Sequence, residues 1–228
     1  MKINAVTLSV FDIFKDLSET ERATVADSMV CHHYDSGNFV ISPYDEKYRV
    51  FFILSGAVRA CTASSCGKPV YFEDLRPGTM FGELAVIDGG SRTSDCIAIA
   101  DSCILSLSDK QFLQLLDNYP AVNRAVLLRM AAMLRYQLQR VYEFTSFNVN
   151  QRIRLELVRL AADQPIKEHT VSLNQVPTHY ELAERVSAHR EAVCKELRKL
   201  TTAGYITWTR REHIIHDLPK LLLHASEK

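Results

Sequence analysis

Between Ala121 and Phe144 the chain runs for 24 residues without a glycine or a proline. A stretch of that kind propagates a single helix of more than about six turns. Within it Val126, Met130, Met133, Gln137, Val141 and Phe144 recur at spacings of four, three, four, four and three. That lines one side of the helix with a largely apolar seam. A small neighbouring domain cannot cover so long a helix, so pairing with a second copy is the expected way to bury the seam; the alternative is a core helix of the same chain.

The segment before it has a different texture. From about residue 31 to 107, short β-rich runs recur: 39–41, 50–54, 57–60, 70–72, 96–99 and 103–107. Turn signals separate them at Asp35-Ser36-Gly37-Asn38, Ser55-Gly56, Cys66-Gly67-Lys68-Pro69, Arg76-Pro77-Gly78 and Asp88-Gly89-Gly90-Ser91. Many short strands at spacings near ten residues indicate a sandwich or barrel. Residues 9–30 read as helical, with Ser18-Glu19-Thr20-Glu21 as a capping box, and Ser108-Asp109-Lys110-Gln111 is another. Pro120 suits the first turn of the long helix. Residues 145–150 are polar enough for a hinge, a helix is expected at about 150–162, and Asp163-Gln164-Pro165 breaks it.

With 47% hydrophobic and 24% charged residues, the composition is that of a folded rather than a disordered chain. No apolar run approaches the ~18 residues of a membrane span, and no secretory signal is evident, so a cytoplasmic protein with reduced cysteines is expected. The net charge of zero conceals a gradient: residues 1–146 carry 14 Lys+Arg against 17 Asp+Glu, and residues 147–228 carry 13 against 10. A basic second half is a mild pointer to a polyanionic partner.

That second half holds a specific motif. Thr178-His179-Tyr180-Glu181 is a third capping box, opening a helix that breaks at Ser187-Ala188; a second helix runs from about His189 to Thr202. Two short helices joined tightly are the helix-turn-helix unit. At about 100° per residue from Arg190, Arg198, Glu191 and Lys195 fall near 80°, 100° and 140°, whereas Leu200, Val193 and Leu197 fall near 280°, 300° and 340°. The polar arc can address base edges: Arg to guanine, Glu to the cytosine amino group, Lys to guanine or phosphate. Gly204 ends the helix, and 205–209 and 213–216 alternate as two strands of a wing with Arg210-Arg211 at its tip, placed for phosphates. Thr178 and His189 stand at the starts of the two helices.

In the first half, Phe81-Gly82-Glu83-Leu84-Ala85 is followed by Arg92-Thr93. Gly82 permits close backbone approach, the N–H groups from Glu83 to Ala85 open a short helix that attracts phosphate, Glu83 suits a ribose hydroxyl, and Arg92 with Thr93 suits a phosphate. The competing reading pairs Arg92 internally with Glu83 or Asp95.

Together these segments resemble, nearly end to end, the cyclic AMP receptor protein/FNR family of transcription regulators. Phe81-Gly82-Glu83-Leu84-Ala85…Arg92-Thr93 resembles the family's phosphate-binding cassette, Arg190-Glu191-x-x-x-Lys195 its recognition-helix triplet, and Phe147-Asn148-Val149-Asn150-Gln151-Arg152-Ile153 its hinge. The resemblance implies an α+β fold with an N-terminal β jelly-roll (1–107), a dimerisation helix (108–146) and a winged helix-turn-helix (147–228). It implies a homodimer, not an enzyme, that takes a cyclic nucleotide, cyclic AMP before cyclic GMP, at Gly82, Glu83, Leu84, Ala85, Arg92 and Thr93. It further implies double-stranded DNA with palindromic TGTGA-like half-sites read from Thr178, His189, Arg190, Glu191 and Lys195, and contact with RNA polymerase.

Three departures matter. Gln137-Leu138 stands where cyclic AMP sensors of the family carry a Thr-Ser pair against the base, so Gln137 is the expected base contact. Ser94-Asp95 follows the cassette where Ala is usual. Lys195 replaces the family's Arg. Same-fold redox or gas sensing, DNA binding without ligand, and a cyclic-nucleotide-binding subunit with no DNA target stay as alternatives. Against metal chemistry, no cysteine precedes Cys31, Cys61-x4-Cys66 reads as a hairpin pair, and His32-His33 reads as a strand-start pair; no metal is expected.

Overall fold

The computed structural model describes residues 3–42, 45, 48–63, 69–162, 164–174 and 176–226. The Cys66 turn, the Cys61/Cys66 pair and the break at Asp163 lie partly or wholly outside the described residues. The chain divides into two compact units, residues 1–134 and 135–228. No described helix is long and apolar enough to cross a membrane.

The first unit opens with α1 (Ala5–Leu8), a 3-10 turn at Asp12–Phe14 and α2 (Glu19–Asp27). Of residues 9–30, read as helical, only Glu19–Asp27 forms an α-helix, and Asp12–Phe14 is a 3-10 turn. Ser18 caps α2 through the expected box, and a capped start at residue 18 forbids a helix running through it. Phe11 and Phe14 instead pack on Phe52, each at a ring separation of 5.5 Å.

The strands are β1 (Val30–Tyr34), β2 (Phe39–Ile41), β3 (Arg49–Ala63), β4 (Pro69–Leu75), β5 (Met80–Phe81) and β6 (Asp95–Ser108). Their order is β1-β6-β3-β4, with β2 also on β6 and β5 also on β3. The expected α+β architecture is present, but runs read as four strands are two. Ser55-Gly56 is no turn: β3 continues through it against β6 with register shifts between Ile53 and Val58. Gly56 has φ +90°, and a Cβ there would lie 2.2 Å from Ser102 Oγ. The glycine thus allows a bulge within one bent strand. The barrel interior is lined by Val40, Ile41, Phe51, Ile53, Val58, Leu75, Phe81, Cys96, Ala98 and Ile104.

Helix α3 (Leu84–Asp88) follows β5; α4 (Asp109–Asn118) starts from the Ser108 box; and α5 (Pro120–Ser146) is the long helix. Val122 and Val126 are buried in the first unit's core and Met130 packs against it. The expected seam is therefore displaced. α5 leaves Leu127, Leu128, Leu134, Leu138 and Val141 each 60–62% accessible. Of these, Leu127, Leu134, Leu138 and Val141 are spaced seven, four and three apart, which keeps the periodicity and shifts the face.

After Ser146 only Phe147 and Asn148 separate α5 from α6 (Val149–Ala162). Asn148 and Gln151 exchange backbone-to-side-chain bonds of 3.1 and 2.9 Å that restart the helix. The second unit continues with β7 (Ile166–Lys167), β8 (Thr170–Ser172), α7 (His179–Arg185), α8 (Arg190–Thr202), β9 (Ile206–Trp208), β10 (His213–Ile215) and α9 (Leu218–Ser226). The sheet order is β7-β8-β10-β9.

Charges as well as apolar groups hold this unit. Arg140 on α5 meets Glu143 (3.5 Å) and Glu156 (3.4 Å); Arg159 meets Glu143 (2.9 Å) and Glu156 (2.8 Å); Arg185 meets Glu156 at 3.3 Å. Arg140 also donates to the Arg185 carbonyl, joining α5 to α7. Burial pulls the Arg159 pKa down, but Glu156 and Glu143 outweigh it and the net shift is upward. Breaking one member of such a buried set costs about 3–5 kcal/mol. Glu156→Gln is expected to lower the unfolding free energy by an amount of that size, read as a lower denaturant midpoint at unchanged m-value, whereas an unchanged midpoint would show that the network does not stabilise the unit.

Candidate functional site

The cassette sits where β5 ends and α3 begins. Gly82 has φ +79°, and a Cβ at this position would fall 2.9 Å from Ile41 Cδ1, 3.1 Å from the Arg49 carbonyl and 3.1 Å from Arg92 Nη1. Glycine is thus required twice, by conformation and by space. Glu83 follows as the N-cap of α3 and is buried, at 4% exposure. Leu84 is half-buried, Ala85 is buried, and Thr93 is exposed.

Arg92 reaches back across this corner. Its Nη1 donates to the Gly82 carbonyl at 2.7 Å and its Nη2 to the Arg49 carbonyl at 3.1 Å. The guanidinium lies 5.0 Å from the centre of the Tyr48 ring. Its Nε is buried with no acceptor among the described residues. Among those residues it forms no ion pair with Glu83 or Asp95, so the internal pairing weighed against the phosphate reading is not found. Burial, the largest effect, lowers its pKa, with Asp45 opposing.

A residue the sequence reading passed over completes the charge pattern. Arg129 on α5 donates through Nη2 to the Met80 carbonyl at 2.6 Å, and its Nε is also buried without a described acceptor. Burial holds the Glu83 carboxyl above its ordinary value, against the pull of its own backbone N–H, Arg129 and Arg92. Nothing in the local sequence around Arg129 marks it; only the packing of α5 on β5 brings it here. The resulting corner is an acid whose charge burial disfavours, beside two guanidiniums whose hydrogen bonds go to carbonyls, a setting with attraction left over for an anion.

In the second unit the capping box at Thr178 forms as expected, Oγ1 accepting from Glu181 N at 3.2 Å. Ser187 carries φ +50° in the turn between the helices, and His189 stands at the N-cap of α8. Arg190, Glu191, Lys195 and Arg198 are all exposed on one side of α8, while Val193, Leu197 and Leu200 are buried. His179 Nδ1 lies 3.2 Å from Cys194 Sγ, a polar contact between α7 and α8. Burial, then Arg190 and His213, lowers the His179 pKa. Glu196 was missed: it is buried on α8 and pairs with Arg154 of α6 at 2.6 Å. Its helical angle near 240°, beside the apolar arc, was the available signal. At the wing tip Thr209 Oγ1 accepts from the N–H groups of Arg211 (3.2 Å) and Glu212 (3.0 Å), shaping a turn that leaves Arg210 and Arg211 exposed. Gln137 is exposed on α5.

The Glu83 shift has a pH consequence. An acid held high keeps its proton in the folded chain where the unfolded chain has released it, so stability declines as pH climbs above the ordinary 4.5. Glu83→Gln removes that decline. The melting temperature of the variant relative to the parent is expected to rise as pH climbs above 4.5 and to level off once the folded-state carboxyl has ionised as well; a difference that falls as pH climbs above 4.5 would contradict the burial argument.

Two family models match the chain in the order of its two units: a cyclic nucleotide-binding domain over residues 31–119 and a Crp-like helix-turn-helix domain over residues 151–223. A CRP-like cAMP-activated global transcriptional regulator from Mycobacterium tuberculosis is 24% identical over 214 residues, covering 93% of this chain and 96% of the relative. Among solved structures, a CooA variant from Carboxydothermus hydrogenoformans superposes with a TM-score of 0.81 at 18% identity and 95% coverage of both chains. The c-di-GMP responsive global regulator CLP of Xanthomonas campestris superposes with a TM-score of 0.71 at 17% identity, covering 83% and 94%. With a cyclic nucleotide-binding domain ahead of a Crp-like helix-turn-helix, and regulators rather than enzymes as its relatives, this chain belongs to the cyclic AMP receptor protein/FNR family of DNA-binding transcription regulators.

Proposed function

We propose that the chain is a homodimeric transcription regulator whose operator binding is controlled by a cyclic nucleotide, cyclic AMP first and cyclic GMP second. The observation that carries this reading is Arg92: a guanidinium, half-buried over Tyr48, that meets only backbone carbonyls among its described partners. A buried cation without a carboxylate is costly, and a cyclic phosphodiester is an anion of suitable size. Thr93 adds a hydroxyl to the phosphate, Glu83 faces the ribose, and the Leu84–Ala85 backbone lines the approach. These groups address the ribose phosphate shared by both nucleotides, so the purine preference falls to side chains outside the cassette.

Dimerisation uses the exposed stripe of Leu127, Leu134, Leu138 and Val141, whose heptad-like spacing suits a two-helix seam. Two copies of α8, roughly 34–36 Å apart, then enter successive major grooves. Arg190, Glu191 and Lys195 read the half-site, with Thr178, His189 and the wing arginines on phosphates. Lys195 is a point charge where a guanidinium forks, so discrimination at its base is relaxed. RNA polymerase is the downstream partner, and the compartment is the cytoplasm.

Calorimetric titration with cyclic AMP and cyclic GMP tests the effector. Saturable binding is expected, weakened at least ~10-fold in Arg92→Ala by loss of a charge-assisted contact; unchanged affinity in that variant overturns the phosphate placement. Operator affinity, measured with and without nucleotide on a TGTGA-type palindrome, tests the output. Arg190→Ala should cost about 1–3 kcal/mol at the matched guanine, and equal affinity with and without nucleotide would remove the ligand control.

A further inference from the structure

Cysteines far apart in the sequence meet on the β1–β6 ladder. Cys31 and His33 are alternate residues of β1, so they share a face. Across the ladder Cys31 stands opposite Leu105 and His33 opposite Cys103, which puts Cys103 on that same face, beside His33 and diagonal to Cys31. Cys31 Sγ and Cys103 Sγ are 3.2 Å apart although 72 residues separate them in the chain. One ligand atom from each of Cys31, His33 and Cys103 lies within 4.8 Å of the other two.

The three residues are graded in depth: Cys103 is buried, Cys31 half-buried and His33 exposed. β1 is the outer strand of its sheet path, so the histidine end opens to solvent. Two sulfurs and one imidazole nitrogen are the donor set of a soft cation. Oxygen-seeking Mg²⁺ and Ca²⁺ find no carboxylate in the group. Diagonal neighbours on an antiparallel ladder have Cα atoms about 7–8 Å apart, beyond the ~4.4–6.8 Å a disulfide usually spans. A bridging cation reaches where a disulfide strains, and only a cation gives the converging imidazole a role.

We infer that Cys31, His33 and Cys103 form a binding site for a thiophilic d¹⁰ cation, Zn²⁺ or Cu⁺, on the β1–β6 ladder. Coordination converts each thiol to a thiolate and releases its proton to solvent, so affinity declines toward acid pH. Three ligands leave one position of a tetrahedral cation for water or an exogenous donor, at the exposed His33 side. The bound cation staples β1 to β6, the strand that begins at Asp95 directly after the Arg92 cassette. The site is independent of the nucleotide reading, since no cassette residue belongs to it.

The test uses the full-length protein, reduced and stripped of metal. Zn²⁺ is titrated in competition with a chromophoric chelator, Cu⁺ anaerobically in the same way, and Co²⁺ serves as a spectroscopic probe. One equivalent per chain is expected, with a thiolate-to-cobalt charge-transfer band and a Zn²⁺-dependent rise in melting temperature. The tighter of the two competition titrations identifies the cation. Cys31→Ser and Cys103→Ser should each weaken binding ~100-fold or more and His33→Ala ~10-fold or more, while Cys194→Ser, at the separate His179 contact, should leave it unchanged. Should the cysteine variants fail to fold, alkylation of the parent protein reads the same site: bound Zn²⁺ must protect Cys31 and Cys103, and not Cys194, from iodoacetamide. Absence of saturable binding by both cations, binding that survives in Cys31→Ser and Cys103→Ser, or alkylation unaffected by metal would each overturn the site. So would a Cys31–Cys103 disulfide forming in air with no metal bound by the reduced protein.

Discussion

Three arginines and two glutamates, nearly closed off from water, set the geometry of the second unit. Arg140, Glu143, Glu156, Arg159 and Arg185 come from α5, α6 and α7. Apolar contact alone tolerates small slides and rotations between helices, because it has no direction. A guanidinium and a carboxylate tolerate far less, because each desolvated charge is costly until its partner is aligned. The network therefore selects one angle of α7 relative to the end of α5 and the second half of α6. Arg154 and Glu196 repeat the device between α6 and α8, with Arg154 also donating to the His224 carbonyl at 2.8 Å. The exposed face of Arg190, Glu191 and Lys195 thus stands on a framework of directional charge pairs, the kind of support that the base reading proposed for these side chains requires.

The first unit uses its arginines in the opposite way. In the second unit these guanidiniums find carboxylates; around the cassette, Arg92 and Arg129 are directed at the carbonyls of Gly82, Arg49 and Met80. A carbonyl satisfies a donor without cancelling the charge. Glu83, the acid between them, is itself biased toward its neutral form by burial. The contrast separates a structural use of arginine from a receptive one. Where charges cancel internally the site is finished; where guanidiniums meet only carbonyls, and each keeps a buried Nε without a described acceptor, the corner retains attraction for an anion.

What could be read from the sequence follows from how local each cause is. The capping boxes at Ser18, Ser108 and Thr178 all formed, because a cap depends on four consecutive residues. The recognition face of α8 was legible from periodicity, and the wing from alternation about Arg210-Arg211. Of the helical texture read over 9–30, the part behind the Ser18 cap formed as α2, whereas 9–17 holds only the 3-10 turn at Asp12–Phe14, where Phe11 and Phe14 pack on Phe52. Ser55-Gly56 was misread because a glycine at positive φ serves a bulge as well as a turn, and only Ser102, packed 2.2 Å from where a Cβ would lie, distinguishes them. Arg129, Glu196 and the Cys31–Cys103 approach were invisible for one reason. Each depends on a partner 40 or more residues away, and neither periodicity nor spacing carries that information.

The long helix shows the same limit in a sharper form. Its apolar residues answer to different demands along its length: Val122 and Val126 are buried in the core of the first unit, Leu127, Leu134, Leu138 and Val141 face outward, and Arg140 and Glu143 belong to the ion network. A single periodic seam drawn through Val126, Met130, Met133, Gln137, Val141 and Phe144 mixes these faces, and Phe144 is in fact flanked by the guanidiniums of Arg140 and Arg152 at 4.8 and 4.9 Å. Each of these sets is fixed by its own surroundings, so a residue of this helix answers to the neighbours that its own turn meets rather than to one periodic stripe. The helical period repeats whether a turn is covered by core, left open or held by charge, and that is why periodicity alone does not tell the three apart.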